Sequence, residues 1–326
     1  MTGLESKTRI TLLLLIILSS ALSCSRQTPR KIRVGFKYNA AYQHFFVARE
    51  NRYFERYGLD IEGVPFESTN EMVQAVARGD IDATAGSSTE PIALVEQNAP
   101  GLMKIYLTVV VDKDHPFFSF IVRPDSPITT LAELKHTRIG TLPGSTAESW
   151  LEAVLGHFFD PKHDVTILQI DQRLQLQALA AGQVDALYTA DPTVSLAQVK
   201  KIGRVLAKGA ENDYILKVMP AGGSVVSERL IQTDPAAVRG LIAAMYDAVD
   251  FMRLHESETR RIFAKQTKLD PLLADRMEIL QYWKLSETNL VMVQKYFDFL
   301  QGRGILQKHI AVDQLYLPPT WSPQSR

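Results

Sequence analysis

Apolar positions follow two rhythms along the chain, short near-continuous runs and longer stretches at helical spacing, and the two alternate. Lys31 to Phe36 predicts a strand. Phe46, Val47, Tyr53, Phe54 and Tyr57 then recur at helical spacing, and Gly58 stands where a helix must stop. Leu59 to Phe66 predicts a second strand, and Ser68-Thr69-Asn70-Glu71 a capping box opening a helix that Gly79 ends. Ile81 to Ala85 predicts a third strand, and Thr89-Glu90-Pro91 another helix start with proline in its first turn. Strands separated by helices imply a parallel sheet.

The order then begins again. Arg138 to Leu142, Val165 to Ile170 and Val184 to Thr189 predict strands. Ser145-Thr146-Ala147-Glu148 predicts a capping box opening a helix through Trp150, Val154 and Phe158. A further helix surrounds Leu176 and Leu179, and Asp191-Pro192 opens the next. Residues 72–83 align without gaps to 175–186, and six of the 12 pairs are identical: Gln74/Gln177, Ala75/Ala178, Ala77/Ala180, Gly79/Gly182, Asp82/Asp185 and Ala83/Ala186. Chance would give about one, so a helix, glycine stop and buried strand occur twice. The offset, 182 − 79 = 103 residues, is about one small α/β domain.

Phe117 to Pro124 and Val218 to Val226 read as extended crossings between the copies. The expected architecture is α/β with two lobes, each a mostly parallel sheet flanked by helices. Residues 31–122 and 220–326 form the first lobe and 123–219 the second. Residues 234–302 carry helical spacing, at Leu241, Met245, Val249 and Met252 and later at Ile279, Tyr282 and Trp283, and pack back on the first lobe. Ligands of open parallel sheets sit beyond the carboxyl ends of strands, so the loops of interest are 38–44, 67–70, 86–89, 144–146 and 189–191.

The start of the chain has a different pattern. Lys7 and Arg9 precede the apolar run Ile10 to Leu18, followed by small residues up to Cys24, which is a signal peptide over residues 1–23. Ala21-Leu22-Ser23-Cys24 resembles the bacterial lipobox, whose thiol is acylated. Ala21-Leu22-Ser23 also fits an ordinary signal-peptidase site, with Cys24 left over. The lipobox reading makes 24–30 a lipidated tether and Cys24 the attachment point, placing the protein outside the cytoplasm on a bacterial membrane. No apolar stretch approaches the roughly 20 residues that span a bilayer.

Charge and composition remove several functions. Lys plus Arg number 36 and Asp plus Glu 36, so no net field favours nucleic acid as a partner. Cys24 is the single cysteine, which excludes an intramolecular disulfide and a cysteine zinc cluster. The seven histidines form no His-x-x-x-His pair, and no Walker loop or Gly-x-Ser-x-Gly elbow occurs, so no metal, cofactor or enzymatic activity is expected.

Candidate ligand contacts follow from the loops. Tyr38, Tyr42 and His44 can form an aromatic wall with polar edges, with Asn39 in the same loop. Ser87, Ser88, Ser145 and Thr146 place hydroxyls at helix starts, where free N–H groups favour a carboxylate, sulfonate or phosphate. Glu67 and Asp191 can accept ligand N–H groups, and Tyr188 lies at the carboxyl end of its strand.

Tyr38-Asn39-Ala40-Ala41-Tyr42-Gln43-His44-Phe45-Phe46-Val47-Ala48-Arg49-Glu50, followed by Tyr53-Phe54 and Tyr57-Gly58-Leu59-Asp60, resembles the opening of a family of ABC-importer solute-binding proteins. That family, SsuA/THI5-like and NMT1-like, serves nitrate, sulfonates, taurine and thiamine-precursor pyrimidines. The likeness continues through Gln74-Ala75, Asp82-Ala83, Asp125-Ser126-Pro127-Ile128, Leu131-Ala132-Glu133-Leu134-Lys135 and Arg138-Ile139-Gly140. Arg52 and His136-Thr137 depart from the family's glycine and Gly-Lys. The resemblance implies a type II periplasmic-binding-protein-like fold with two hinge crossings. It implies a monomer that binds a small organic solute and delivers it to the membrane subunits of an ABC permease. Asn39 and His44 resemble the pyrimidine-precursor branch, which points to an aromatic heterocycle; the serine loops point to a sulfonate or other oxyanion. The alternatives are an enzyme on the same fold, like those of an alternative menaquinone pathway, and a ligand-sensing subunit of a signalling system.

Overall fold

Two sheets organise the residues described by the computed structural model, which are 31–270, 273 and 275–323. The expected signal peptide, Cys24 and the tether lie outside them. The first sheet takes β1 (Lys31–Phe36), β2 (Asp60–Pro65), β3 (Ala83–Thr84), β4 (Met103–Asp112), β10 (Val218–Ser227) and β11 (Gln281–Lys284), in the order β11-β4-β10-β3-β1-β2. The second takes β5 (Ser119–Val122), β6 (Arg138–Thr141), β7 (Thr166–Gln169), β8 (Ala186–Thr189) and β9 (Arg204–Lys208), in the order β7-β6-β8-β5-β9.

The duplication read from the sequence reappears as topology. β1 pairs in parallel with β2 and β3, as β6 does with β7 and β8. Each set is then met by an antiparallel strand, β10 against β3 and β5 against β8. Both sheets are therefore mixed, and the parallel pairing is confined to the repeated strands.

The identical residues of the repeat have a physical cause. Gly79 and Gly182 follow their helices with φ of 81° and 67°, left-handed values that glycine takes without strain. Their carbonyls accept from Arg33 and Arg138 Nη2 at 3.0 and 2.9 Å. The backbone N–H groups of the same arginines donate to Asp82 and Asp185, each at 2.9 Å. Helix end, first strand and third strand are thereby tied together twice. Asp82, almost wholly buried, also pairs with Arg229 at 2.9 Å, whereas Asp185 is partly exposed. We expect Asp82→Ala to cost about 3 kcal/mol and Asp185→Ala about 1 kcal/mol, read as shifts of the urea midpoint. Equal shifts would show that burial does not set the strength of the tie.

Four sequence expectations change. The run 218–226, expected as the return crossing, lies in β10, which pairs with β4 and β3, so Val218 and Met219 join the first sheet and the chain returns before them. The run taken as a crossing at 117–124 is β5, which pairs with β8 and β9, so its residues 119–122 join the second sheet and the chain crosses before them. Tyr282 and Trp283, expected in a helix, lie in β11 along the edge of β4. The helix Ser145–Leu155 begins one residue early with Gly144 as its cap, so Ser145 is not the capping residue. Its hydroxyl is free for another partner. Among the described residues no helix is long and apolar enough to cross a membrane.

Candidate functional site

A cavity of about 70 Å³ lies where the carboxyl ends of β1, β3 and β6 approach one another. Lys37 and Asn39 reach it from beyond β1, Ser87 and Ser88 from beyond β3, and Leu142 to Gly144 with Thr146 from beyond β6. Phe117, Phe118 and Trp150 close one side, and Ala221 and Gly222 of β10 form part of its wall. A bound water needs roughly 10–15 Å³ on this scale, so the space suits a few heavy atoms.

The wall carries unused polar capacity. Ser87 Oγ and Thr146 Oγ1 are buried without a hydrogen-bond partner. Lys37 is only 8% exposed, and no hydrogen bond or ion pair engages its amine among the described residues. Burial lowers its pKa to about 8, against the attraction of Glu67, Glu71 and Asp171. A buried cation and two unsatisfied hydroxyls lining one cavity cost stability, and an anion with several acceptor oxygens entering it would relieve all three.

Contacts between the two sheets' sides surround the cavity. Asn70 Nδ2 donates to Ser145 Oγ at 3.2 Å, and Ser145 N–H to Asn70 Oδ1 at 3.4 Å. Arg173 meets Glu67 at 3.0 Å, and Trp150 Nε1 donates to Tyr296 Oη at 2.7 Å. Ala40 N–H reaches the Asp191 carbonyl at 3.4 Å.

The chain's family follows from its extent. The family model described as the NMT1-like family matches residues 25–267, and 267 − 25 + 1 = 243 is well over half of 326. The chain belongs to the NMT1-like family. A protein of Escherichia coli (strain K12) named "Putative aliphatic sulfonates-binding protein" is 24% identical over 319 residues, 94% of each chain. The alkanesulfonate-binding protein SsuA from Xanthomonas axonopodis pv. citri, bound to MOPS, has a TM-score of 0.73 at 23% identity, covering 89% of this chain and 99% of that one. The desulfurization enzyme DSZB has a TM-score of 0.65 at 20% identity, over 89% and 97%. These likenesses establish the fold as that of the periplasmic binding proteins.

Within this NMT1-like chain the expected site residues separate into three groups. Asn39, Ser87, Ser88 and Thr146 line the cavity. Asn39 Oδ1 also accepts from Ala41 N–H at 3.1 Å, and Ser88 Oγ accepts from Thr69 Oγ1 at 3.3 Å. Tyr38, 52% exposed, and Glu67 line a separate, outer groove, and Ser145 serves the contact with Asn70.

The remaining three are turned elsewhere. His44 lies in the helix Gln43–Glu50 rather than in a loop, fully buried, with its ring 4.6 Å from that of Tyr282. Burial holds its pKa down to about 4. The turn Ala40–Tyr42, capped by Asn39, starts the helix early and sends His44 inward. Tyr188 is buried, stacked on Phe118 at 4.4 Å, and its hydroxyl donates to Glu211, which burial pushes up to about 7. Asp191 is committed internally: it accepts from Ser195 N–H and Oγ at 2.9 and 2.8 Å and from Glu278 N–H at 2.8 Å.

Lys37 and Trp150 lie outside the loops of interest read from the sequence, whereas Thr69 lies in the 67–70 loop without being named there as a contact. Lys37 is the residue directly after β1, and the loop of interest was begun one position later. A lysine closing an apolar strand at the end where ligands sit was the available signal. Among the described residues no group of three or more His, Cys, Asp or Glu is arranged to hold a metal.

Proposed function

We propose that the protein binds a small organic oxyanion, a sulfonate in the simplest case, between its two sheets and hands it to an ABC permease without altering it. The observation that carries this reading is Lys37, a buried amine that no hydrogen bond or ion pair engages among the described residues, lining the same cavity as the unsatisfied Ser87 and Thr146 hydroxyls. A sulfonate offers a negative charge and three acceptor oxygens to those donors. The names of the Escherichia coli relative and the Xanthomonas neighbour point the same way. An aromatic heterocycle has less support, because His44 is turned into the core.

Isothermal titration with ethanesulfonate is expected to give a dissociation constant near 1 μM, about −8 kcal/mol. Binding of a neutral aminopyrimidine with no response to ethanesulfonate would replace this reading. We place the protein outside the cytoplasm as a monomer held by lipid on Cys24. Protein from its own cells should then have the mass of residues 24–326 plus acyl chains. A chain of that length without acyl groups would remove the anchor.

A further inference from the structure

The chain passes between the two sheets over residues 113–118, from β4 to β5, and over 209–217, from β9 to β10, and the second passage carries the short helix Ala210–Tyr214. Two adjacent buried residues of that helix tie the passages together. Asn212 Nδ2 donates to the Val111 carbonyl at 3.1 Å, where β4 ends, and to the Leu216 and Lys217 carbonyls at 3.3 and 3.4 Å, just before β10 begins. Glu211 holds the other sheet. Its carboxylate accepts from Phe118 N–H at 3.0 Å, where β5 begins, and from Tyr188 Oη of β8 at 3.4 Å. One helix therefore grips the first sheet by an amide and the second by an acid. Phe117 and Phe118 also line the small cavity, so the acid holds part of its wall.

No cation balances that acid. Tyr188, with Tyr296 behind it, is the titratable group beside it. The charged groups of the elements packed around the helix are engaged elsewhere: Lys113 with Asp213, His115 with Asp112, Glu152 with Arg303 and Glu148 with Gln169. His157 meets the Tyr214 carbonyl at 2.9 Å, and Asp114 and Lys217 are exposed. We infer that the helix Ala210–Tyr214 is the clamp of a proton-operated hinge, in which drawing the sheets together takes up a proton on Glu211 and ionisation of Glu211 loosens them. The neutral acid suits the buried position, because its carbonyl oxygen still accepts from Phe118 N–H while its hydroxyl turns to the Tyr188 oxygen. The ionised acid needs water, and parting the two passages admits it. Burial pushes Glu211 up to about 7 with the sheets together. That form then holds more protons than one with a hydrated carboxylate, so it gains as pH falls through about 7 and loses the gain above it.

X-ray scattering of the ligand-free protein at pH 8 and pH 6 tests this apart from any reading of the ligand. The radius of gyration should fall on acidification, with the ratio of closed to open molecules rising by up to about tenfold. Glu211→Gln, a neutral mimic of the protonated acid, should be compact at both pH values, and its urea midpoint establishes that it folds. Tyr188→Phe removes a donor to the ionised acid and should move the midpoint of compaction to higher pH; it decides the matter if the glutamine variant does not fold. A radius that is the same at both pH values overturns the proposal, as does an unmoved midpoint in Tyr188→Phe. So does a pH response that persists in Glu211→Gln, which would belong to Glu90 or Asp191, buried carboxyls that burial also pushes up.

Discussion

Lys37→Met is expected to weaken oxyanion binding strongly and, in the same protein, to raise the stability of the unliganded fold. The two effects share one origin. Burial lowers the amine's pKa from the ordinary lysine value of 10.5 to about 8, so the folded state holds fewer protons than the unfolded one between those values. Stability of the free protein therefore rises with pH across that window, and the penalty of the buried ammonium is felt in full below about 8. That lowering corresponds to about 3 kcal/mol at neutral pH. Methionine keeps the length and apolar stem and removes the charge, so this penalty disappears. Without the cation, ethanesulfonate should bind at least about 100-fold more weakly at pH 7. In the unaltered protein affinity should also fall as pH rises above about 8, while the variant shows no such slope. Thermal melts and titrations at pH 7 and 9.5 measure all three. A variant that melts lower, or that binds within a few-fold of the parent, would show that Lys37 is neither a buried charge nor the anion's partner.

The features legible in the sequence were those with a long or repeated signal. The twelve aligned pairs around Gly79 and Gly182 announced two equivalent units, and the shared Arg-Gly-Asp ties explain why glycine and aspartate recur there. Short strands were harder. β11 spans Gln281–Lys284, and over four residues a spacing of Ile279, Tyr282 and Trp283 satisfies a helix as well as an edge strand. Its pairing with β4 decides the matter, and that is a tertiary fact. β9, Arg204–Lys208, carries no clear sequence signal because it is half-buried with a charge at each end. The site divided along the same line. Ser87 and Thr146 could be placed in loops after strands, but whether each hydroxyl caps a helix or faces a cavity depends on neighbours from distant parts of the chain. Ser145 illustrates the opposite outcome, since Asn70, 75 residues away, takes its hydroxyl. His44 lies in the core rather than the cleft because each residue of helix turns the side chain by about 100°, so a helix that starts one or two residues earlier exchanges one face for the other.

Gly222→Ala should destabilise the fold by about 2–3 kcal/mol and weaken ligand binding, although the change adds a single methyl group. Residue 222 sits in β10 beside a register shift between Pro220 and Gly222, and it bridges to Ser88. A Cβ there would be driven into the backbone carbonyl oxygen of Ser87. Neither side yields easily. β10 is held between β3 and β4, and the loop is held by Gly223 N–H donating to the Ser87 carbonyl at 2.8 Å and Thr89 Oγ1 to the Pro220 carbonyl at 2.9 Å. Relief must come from moving the loop, and the loop carries the unsatisfied Ser87 hydroxyl. Stability and binding should therefore fall together, unlike Lys37→Met, where they move in opposite directions. Gly302→Ala provides the contrast, because nothing lies within 4 Å of a Cβ at that helix end and the same methyl should be neutral or slightly stabilising. Urea midpoints and ethanesulfonate titrations of both variants make the comparison. If Gly222→Ala matches the parent in both, the loop does not lie against β10 closely enough to fix Ser87, and the wall of the cavity must be held by other contacts.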